Sequence, residues 1–151
     1  VLELTHQTRK ILPEVPLSVT VPHILPLDQQ AQLAVDLVVA GADFIQTEGG
    51  TSSRPLNAGT LGLIEKAAPT LAAAYSISRA LNHARCSIPL LCASGLSSVT
   101  VPMAFACGAS GVGVGSVVNR MDNELAMLAA VRSLRESIVT SDTNTYEFLY
   151  N

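Results

Sequence analysis

Two segments pass from apolar residues into glycine and serine: Leu90-Leu91-Cys92-Ala93-Ser94-Gly95 and Gly111-Val112-Gly113-Val114-Gly115-Ser116. Each reads as a strand that runs out into a loop and then a helix. Glycine and serine let a backbone come close to a ligand, and a helix N-terminus adds partial positive charge. Ser94, Gly95, Gly113, Gly115 and Ser116 therefore make a candidate cradle for a phosphate or another anion. Two other residues suit proton transfer. Glu48 ends an apolar segment just before Gly49-Gly50, where a carboxylate fits a general base. His23 follows Val21-Pro22, and histidine is the side chain that acts as acid or base near neutral pH. Thr20, Gln46, Thr47, Gly49 and Gly50 complete the expected substrate lining, and Thr51, Ser52 and Ser53 add hydroxyls to the same loop.

Other chemistries find less support. A Schiff-base mechanism wants a lysine on a strand, and Lys10 and Lys66 fall in helical segments. The G-x-S-x-G turn of a serine hydrolase is missing. Cys86, Cys92 and Cys107 form no CxxC pair, and His6, His23 and His83 are far apart, so no metal is expected. The cysteines read as free thiols in a reducing compartment. Nothing selects a flavin over a sugar phosphate, which leaves the cofactor open.

These residues need elements to position them. The first dozen residues read as a helix stopped at Pro13, and residues 15–21 as a strand. Asp28 is expected to cap a helix that Gly41 closes. A second strand follows over 42–46, then a polar loop over 47–58. Residues 59–83 read as helix in two pieces parted at Pro69. A third strand spans 88–93, and Ser97 or Ser98 caps a helix closed by Gly108. The fourth strand spans 111–115, and Asp122 caps a last helix through Leu134.

Four strand-then-helix units predict an α/β fold with a parallel sheet. Side-chain parity separates the two parallel architectures. One set is apolar: Val19, Val21, Ile45, Leu91, Ala93, Val112 and Val114. The other is polar or small: Ser18, Thr20, Gln46, Glu48, Cys92, Ser94, Gly113 and Gly115. A sheet covered on both faces wants both sets apolar, whereas a barrel mouth wants the second set inward. The expectation is a (β/α)8 TIM barrel, of which residues 1–137 form a C-terminal half and residues 138–151 an irregular tail. Its bare edges call for the missing N-terminal half, or a second copy of the chain, as partner.

The 151 residues carry a formal net charge of −3, with 48% hydrophobic and only 14% charged residues. So apolar a surface points to a protein partner. Scattered arginines and only two lysines argue against nucleic acid. Apolar runs fall short of the roughly 18 residues that span a bilayer.

The segments Leu17-Ser18-Val19-Thr20-Val21-Pro22-His23, Gly41 to Gly50, Leu61 to Tyr75, Cys92 to Ser97 and Gly111 to Asn119 resemble the Ycf23 family, the DUF561 group of plastids and cyanobacteria. The resemblance covers residues 1–137. It implies a TIM barrel of about 250 residues, a soluble protein of the plastid stroma, and no assigned catalytic residues. A weaker resemblance to phosphate-binding TIM barrels implies that Ser94-Gly95 and Gly115-Ser116 lie on the loops after the seventh and eighth strands. The expected function is binding of a phosphorylated small molecule, with isomerase, lyase or synthase chemistry. The alternative is a non-catalytic ligand-binding or regulatory protein.

Overall fold

A computed structural model describes residues 1–48 and 54–147. The order is α1 (Leu2–Ile11), β1 (Ser18–Val21), α2 (Leu27–Val39), β2 (Phe44–Thr47), α3 (Gly59–His83), β3 (Leu90–Ala93), α4 (Val101–Ala106), β4 (Gly111–Gly113), α5 (Ser116–Asn119) and α6 (Glu124–Glu147). The four strands make one parallel sheet in the order β1-β2-β3-β4. Sequential parallel strands joined by crossovers of one hand put every connecting helix on the same face. Burial agrees: Val19, Val21, Ile45, Thr47, Leu90 and Cys92 are buried, while their strand neighbours are exposed or half-buried. The fold is thus four consecutive βα units of TIM-barrel type.

The core lies between this face and the helices, where Leu37, Ala67, Ala74, Ile77, Val101 and Ala104 are fully buried. The helices α2, α3 and α4 return to the sheet through the same corner. At Gly41 (φ +106°), Arg85 (φ +56°) and Gly108 (φ +94°) the chain turns left-handed. Paired amide bonds close each corner: Gly41 to Val38 and Ala42 to Leu37, Arg85 to Asn82 and Cys86 to Leu81, Gly108 to Phe105 and Ala109 to Ala104. These crossed bonds satisfy helix carbonyls that would otherwise be orphaned. The first corner is held from outside by Arg9. Its guanidinium donates to the carbonyls of Gly41 (2.7 Å), Pro13 (2.8 Å) and Val15 (3.1 Å) and pairs with Asp43. The Leu17 amide bond, with Arg9 beside it, holds the Asp43 carboxyl below its usual range.

Several local expectations are corrected. Pro69 does not part α3, because Ala67, Thr70, Ala73, Ala74 and Ile77 pack continuously on both sides of it and burial outweighs one lost amide bond. Pro26 stands at the N-cap of α2, leaving Asp28 in the first turn, where its charge still suits the dipole. The helix expected from Ser97 or Ser98 starts at Val101, because the Thr100 hydroxyl first closes a turn with the Ser97 amide at 2.9 Å. Asn123, not Asp122, caps α6, its side-chain oxygen accepting from the Leu125 amide at 2.8 Å. That helix runs on to Glu147, past Leu134 and through most of the segment expected to be irregular.

The β3 parity is also reversed. Ile45 pairs with Leu90 and Gln46 with Leu91, so Leu90 and Cys92 face the helices while Leu91 and Ala93 face the open side. Leu91 lies over Gly111, where a Cβ would sit 2.9 Å from its Cδ2.

Candidate functional site

Because the strands are parallel, all four C-terminal ends share one edge of the sheet. Val21 lies level with Thr47, and Ala93 with Gly113. The loops bearing His23 and Glu48 therefore leave beside each other, as do those bearing Ser94-Gly95 and Gly115-Ser116. With strands about 4.8 Å apart, the two pairs are separated by roughly 10 Å along the edge.

At the first pair the side chains meet. His23 Nδ1 lies 2.8 Å from Glu48 Oε2, and the His23 backbone amide donates to the same oxygen at 3.1 Å. The His23 side-chain bond, then its backbone bond, hold the Glu48 carboxyl below its usual range. With Glu48 ionised and able only to accept, Nδ1 is the ring nitrogen that donates to it, which leaves Nε2 as the nitrogen that does not bond the carboxylate. The glutamate fixes the ring's tautomer and its direction, as a carboxylate does for the histidine of a proton-transfer pair.

At the second pair the backbone dominates. Ser94 has φ +82°, a conformation that non-glycine residues rarely hold and that clusters at functional sites. Gly95 has φ +73°, and a Cβ there would lie 2.7 Å from the Lys66 carbonyl oxygen. Gly95 is thus required by the close approach of α3, which is a packing reason. Gly115 differs: a Cβ there meets nothing nearer than Asn119 Nδ2 at 4.0 Å. It precedes α5, and its carbonyl accepts the Val118 and Asn119 amides at 3.0 and 2.9 Å. Ser116 and Gly113 are exposed.

The remaining candidates divide. Thr20 and Gln46 pair across the open face, level with Leu91 and Gly111. Thr47, expected to line the substrate, sits on the helix side and is 1% exposed. Its hydroxyl accepts from the Ala93 amide at 3.0 Å and lies 2.8 Å from that of Thr70, which donates to the Ala93 carbonyl at 2.7 Å. The regular β2–β3 pairing ends at Gln46–Leu91, so these hydroxyls bridge the strands where the ladder stops. Gly49, Gly50, Thr51, Ser52 and Ser53 lie outside the described residues.

Lys66, set aside in the sequence as a Schiff-base lysine, is not recognisable there as a neighbour of the Gly/Ser loops. It lies on α3, yet its Cγ would lie 3.5 Å from a Cβ at Gly95. That places the stem of a cationic side chain beside the second pair. No local pattern signals it, because the contact joins a helix to a distant loop. Below the site, burial raises the Cys92 thiol, which leaves it a poor nucleophile. No group of histidine, cysteine and carboxylate residues among the described residues is arranged to hold a metal. Among them, no helix is long and apolar enough to cross a membrane.

Comparisons with known proteins agree with this architecture. A ycf23 protein of Pyropia yezoensis, itself uncharacterised, is 37% identical over 138 residues, which span 91% of this chain and 49% of that protein. The ycf23 protein of Cyanophora paradoxa is 39% identical over 142 residues, 91% of this chain and 54% of its own length. The chain thus spans about half the length of the curated relatives it matches. A Pediococcus acidilactici lactate oxidase structure superposes with a TM-score of 0.60 at 19% identity, over 93% of this chain and 35% of that one. At that identity the likeness concerns the fold alone. The family model of DUF561, described as a protein of unknown function, matches residues 1–144, and the chain belongs to that family.

Proposed function

We propose that the C-terminal edge of the sheet binds a phosphorylated small molecule and carries out proton transfer on it, in an isomerase, lyase or synthase reaction. The observation that carries this reading is the His23–Glu48 pair, closed at 2.8 Å on the same edge as the Gly/Ser ends of β3 and β4. The amides of Ser94-Gly95 and Gly115-Ser116 hold the phosphate, and Lys66 supplies the nearby positive charge. A span of roughly 10 Å suits a molecule whose phosphate and reacting carbon sit at opposite ends. His23 Nε2 takes the proton, and Glu48 stabilises the imidazolium that forms.

The outer surfaces fit a partner that continues the ring. Beside β1, α1 exposes Leu4 (68%) and Ile11 (77%), and a groove of about 580 Å³ lies between α1 and α2. Beyond β4, α6 exposes Leu125 (75%) and Leu128 (56%). We assign these flanks to an N-terminal half of the barrel, since the relatives are about twice as long. The plastid location that the family resemblance implies belongs to the same proposal.

Calorimetric titration of the intact protein with inorganic phosphate tests the site. Gly115→Asp places a carboxylate in the cradle and is expected to weaken binding at least tenfold, about 1.4 kcal/mol. Glu48→Gln is expected to leave phosphate affinity nearly unchanged. Undiminished affinity in Gly115→Asp would remove the cradle. A native mass spectrum of the intact protein with a retained phosphorylated compound would identify the substrate. With it in hand, Glu48→Gln should lower turnover by 10²–10⁴-fold, as expected for a general acid–base pair.

A further inference from the structure

We propose that Gln30 is the positioning residue of the His23–Glu48 pair, holding from behind the loop that Glu48 holds from in front. This inference rests on the reading of that pair as the reactive part of the site. Gln30 sits at the start of α2 and is only 4% exposed. Its side-chain amide nitrogen donates to the Leu25 carbonyl at 2.7 Å and reaches the His23 carbonyl at 3.4 Å. Its own backbone amide donates to Pro26 at 2.9 Å. One residue therefore ties both ends of the segment from His23 to Pro26.

Elsewhere the loop packs lightly: Ile24 is 79% exposed, and Pro22 and Leu25 are only half-buried. The turn bond from the Leu25 amide to Pro22 is long, at 3.4 Å. His23 is thus held at its ring and amide by Glu48 Oε2, while Gln30 fixes the loop through its short bond to Leu25 and a longer reach to the His23 carbonyl.

Gln30 also carries a local penalty that a mere packing residue would avoid. Its Oε1 is buried with no hydrogen-bond partner among the described residues. A methionine of similar length would fill the space without an orphaned acceptor. The amide donors account for the glutamine. Asp28, in the same turn, is exposed, and Glu48 is the carboxylate that meets His23.

The test reads the pair directly. The Glu48 carboxyl is titrated by carbon-detected NMR in the intact protein and in Gln30→Met, Gln30→Asn and Leu37→Ala. Gln30→Met and Gln30→Asn both withdraw donors from the loop. Each is expected to raise the Glu48 midpoint by about half a pH unit as its bonds to His23 loosen. Leu37→Ala removes core packing from the same helix and is expected to lower stability while leaving the midpoint in place. An unchanged midpoint in both Gln30 variants, or an equal rise in Leu37→Ala, would overturn the inference. Phosphate affinity is independent of this reading. A raised midpoint without phosphate binding keeps the positioning role and removes the ligand, and the reverse result does the opposite.

Discussion

At the ends of β1 and β2, side chains carry the chemistry. A histidine and a glutamate, remote in sequence, meet at 2.8 Å, and the backbone around them serves to aim them. At the ends of β3 and β4 the main chain itself is the feature. Ser94 and Gly95 are both left-handed, and Gly115 stands in open space before a single helical turn. The first region is specified by chemistry at two positions, and the second by the near absence of side chains. The first should therefore respond to proton concentration and to changes of polar residues, and the second to added volume.

The largest stability effect is expected in the second region. Gly95→Ala forces a Cβ to within 2.7 Å of the Lys66 carbonyl at a positive φ and should cost about 3 kcal/mol in chemical denaturation. Gly115→Ala fills open space at an ordinary φ and should fall within about 0.5 kcal/mol of the parent. Equal costs at the two positions would erase the distinction between a glycine kept for packing and one left open. Next comes the joint between the regions. Thr47→Val takes the partner from the half-buried Ala93 amide and should cost about 1–3 kcal/mol. A cost near zero would mean that the hydroxyl bridge does not tie β2 to β3.

Acid should separate the regions with the smallest effect. Glu48 is held below its ordinary 4.5, so its contribution to stability is complete above that value and is lost as pH falls through the folded-state pKa. The second region offers no titrating side chain at Ser94, Gly95, Gly113, Gly115 or Ser116. Hydrogen exchange from about pH 5 down to pH 3, corrected for intrinsic rates, should deprotect the His23 amide first. Simultaneous deprotection of Gly95 would join the regions into one unit.

The parallel order and the shared edge were legible because they follow from local signals: strand-helix alternation, Gly41 and Gly108 at helix ends, and glycine after apolar runs. His23 and Glu48 were legible as candidates by type, but their meeting depends on β1–β2 register. The parity of β3 was not legible. Leu90-Leu91-Cys92-Ala93 offers an apolar or small residue at every position, so only pairing with β2 decides which face meets the helices. Thr47 misled for a related reason: a hydroxyl looks like lining until a partner such as Thr70 arrives from a distant helix. Pro69 misled because a local helix-breaking signal was outweighed by the buried residues around it.

The left-handed corners at Gly41, Arg85 and Gly108 make the two rims of the sheet unequal in what they permit. On the lower rim, the returns into β2, β3 and β4 are bolted by crossed amide bonds, so insertions there would have to break a bolt. Among the described residues the upper rim shows no such crossed pair, although Gly95 is pinned there by the Lys66 carbonyl. Loop positions there that stand in open space, such as Gly115, can exchange residues while the strands beneath keep their register, so new chemistry can be tried at them with less risk to the scaffold than at Gly95.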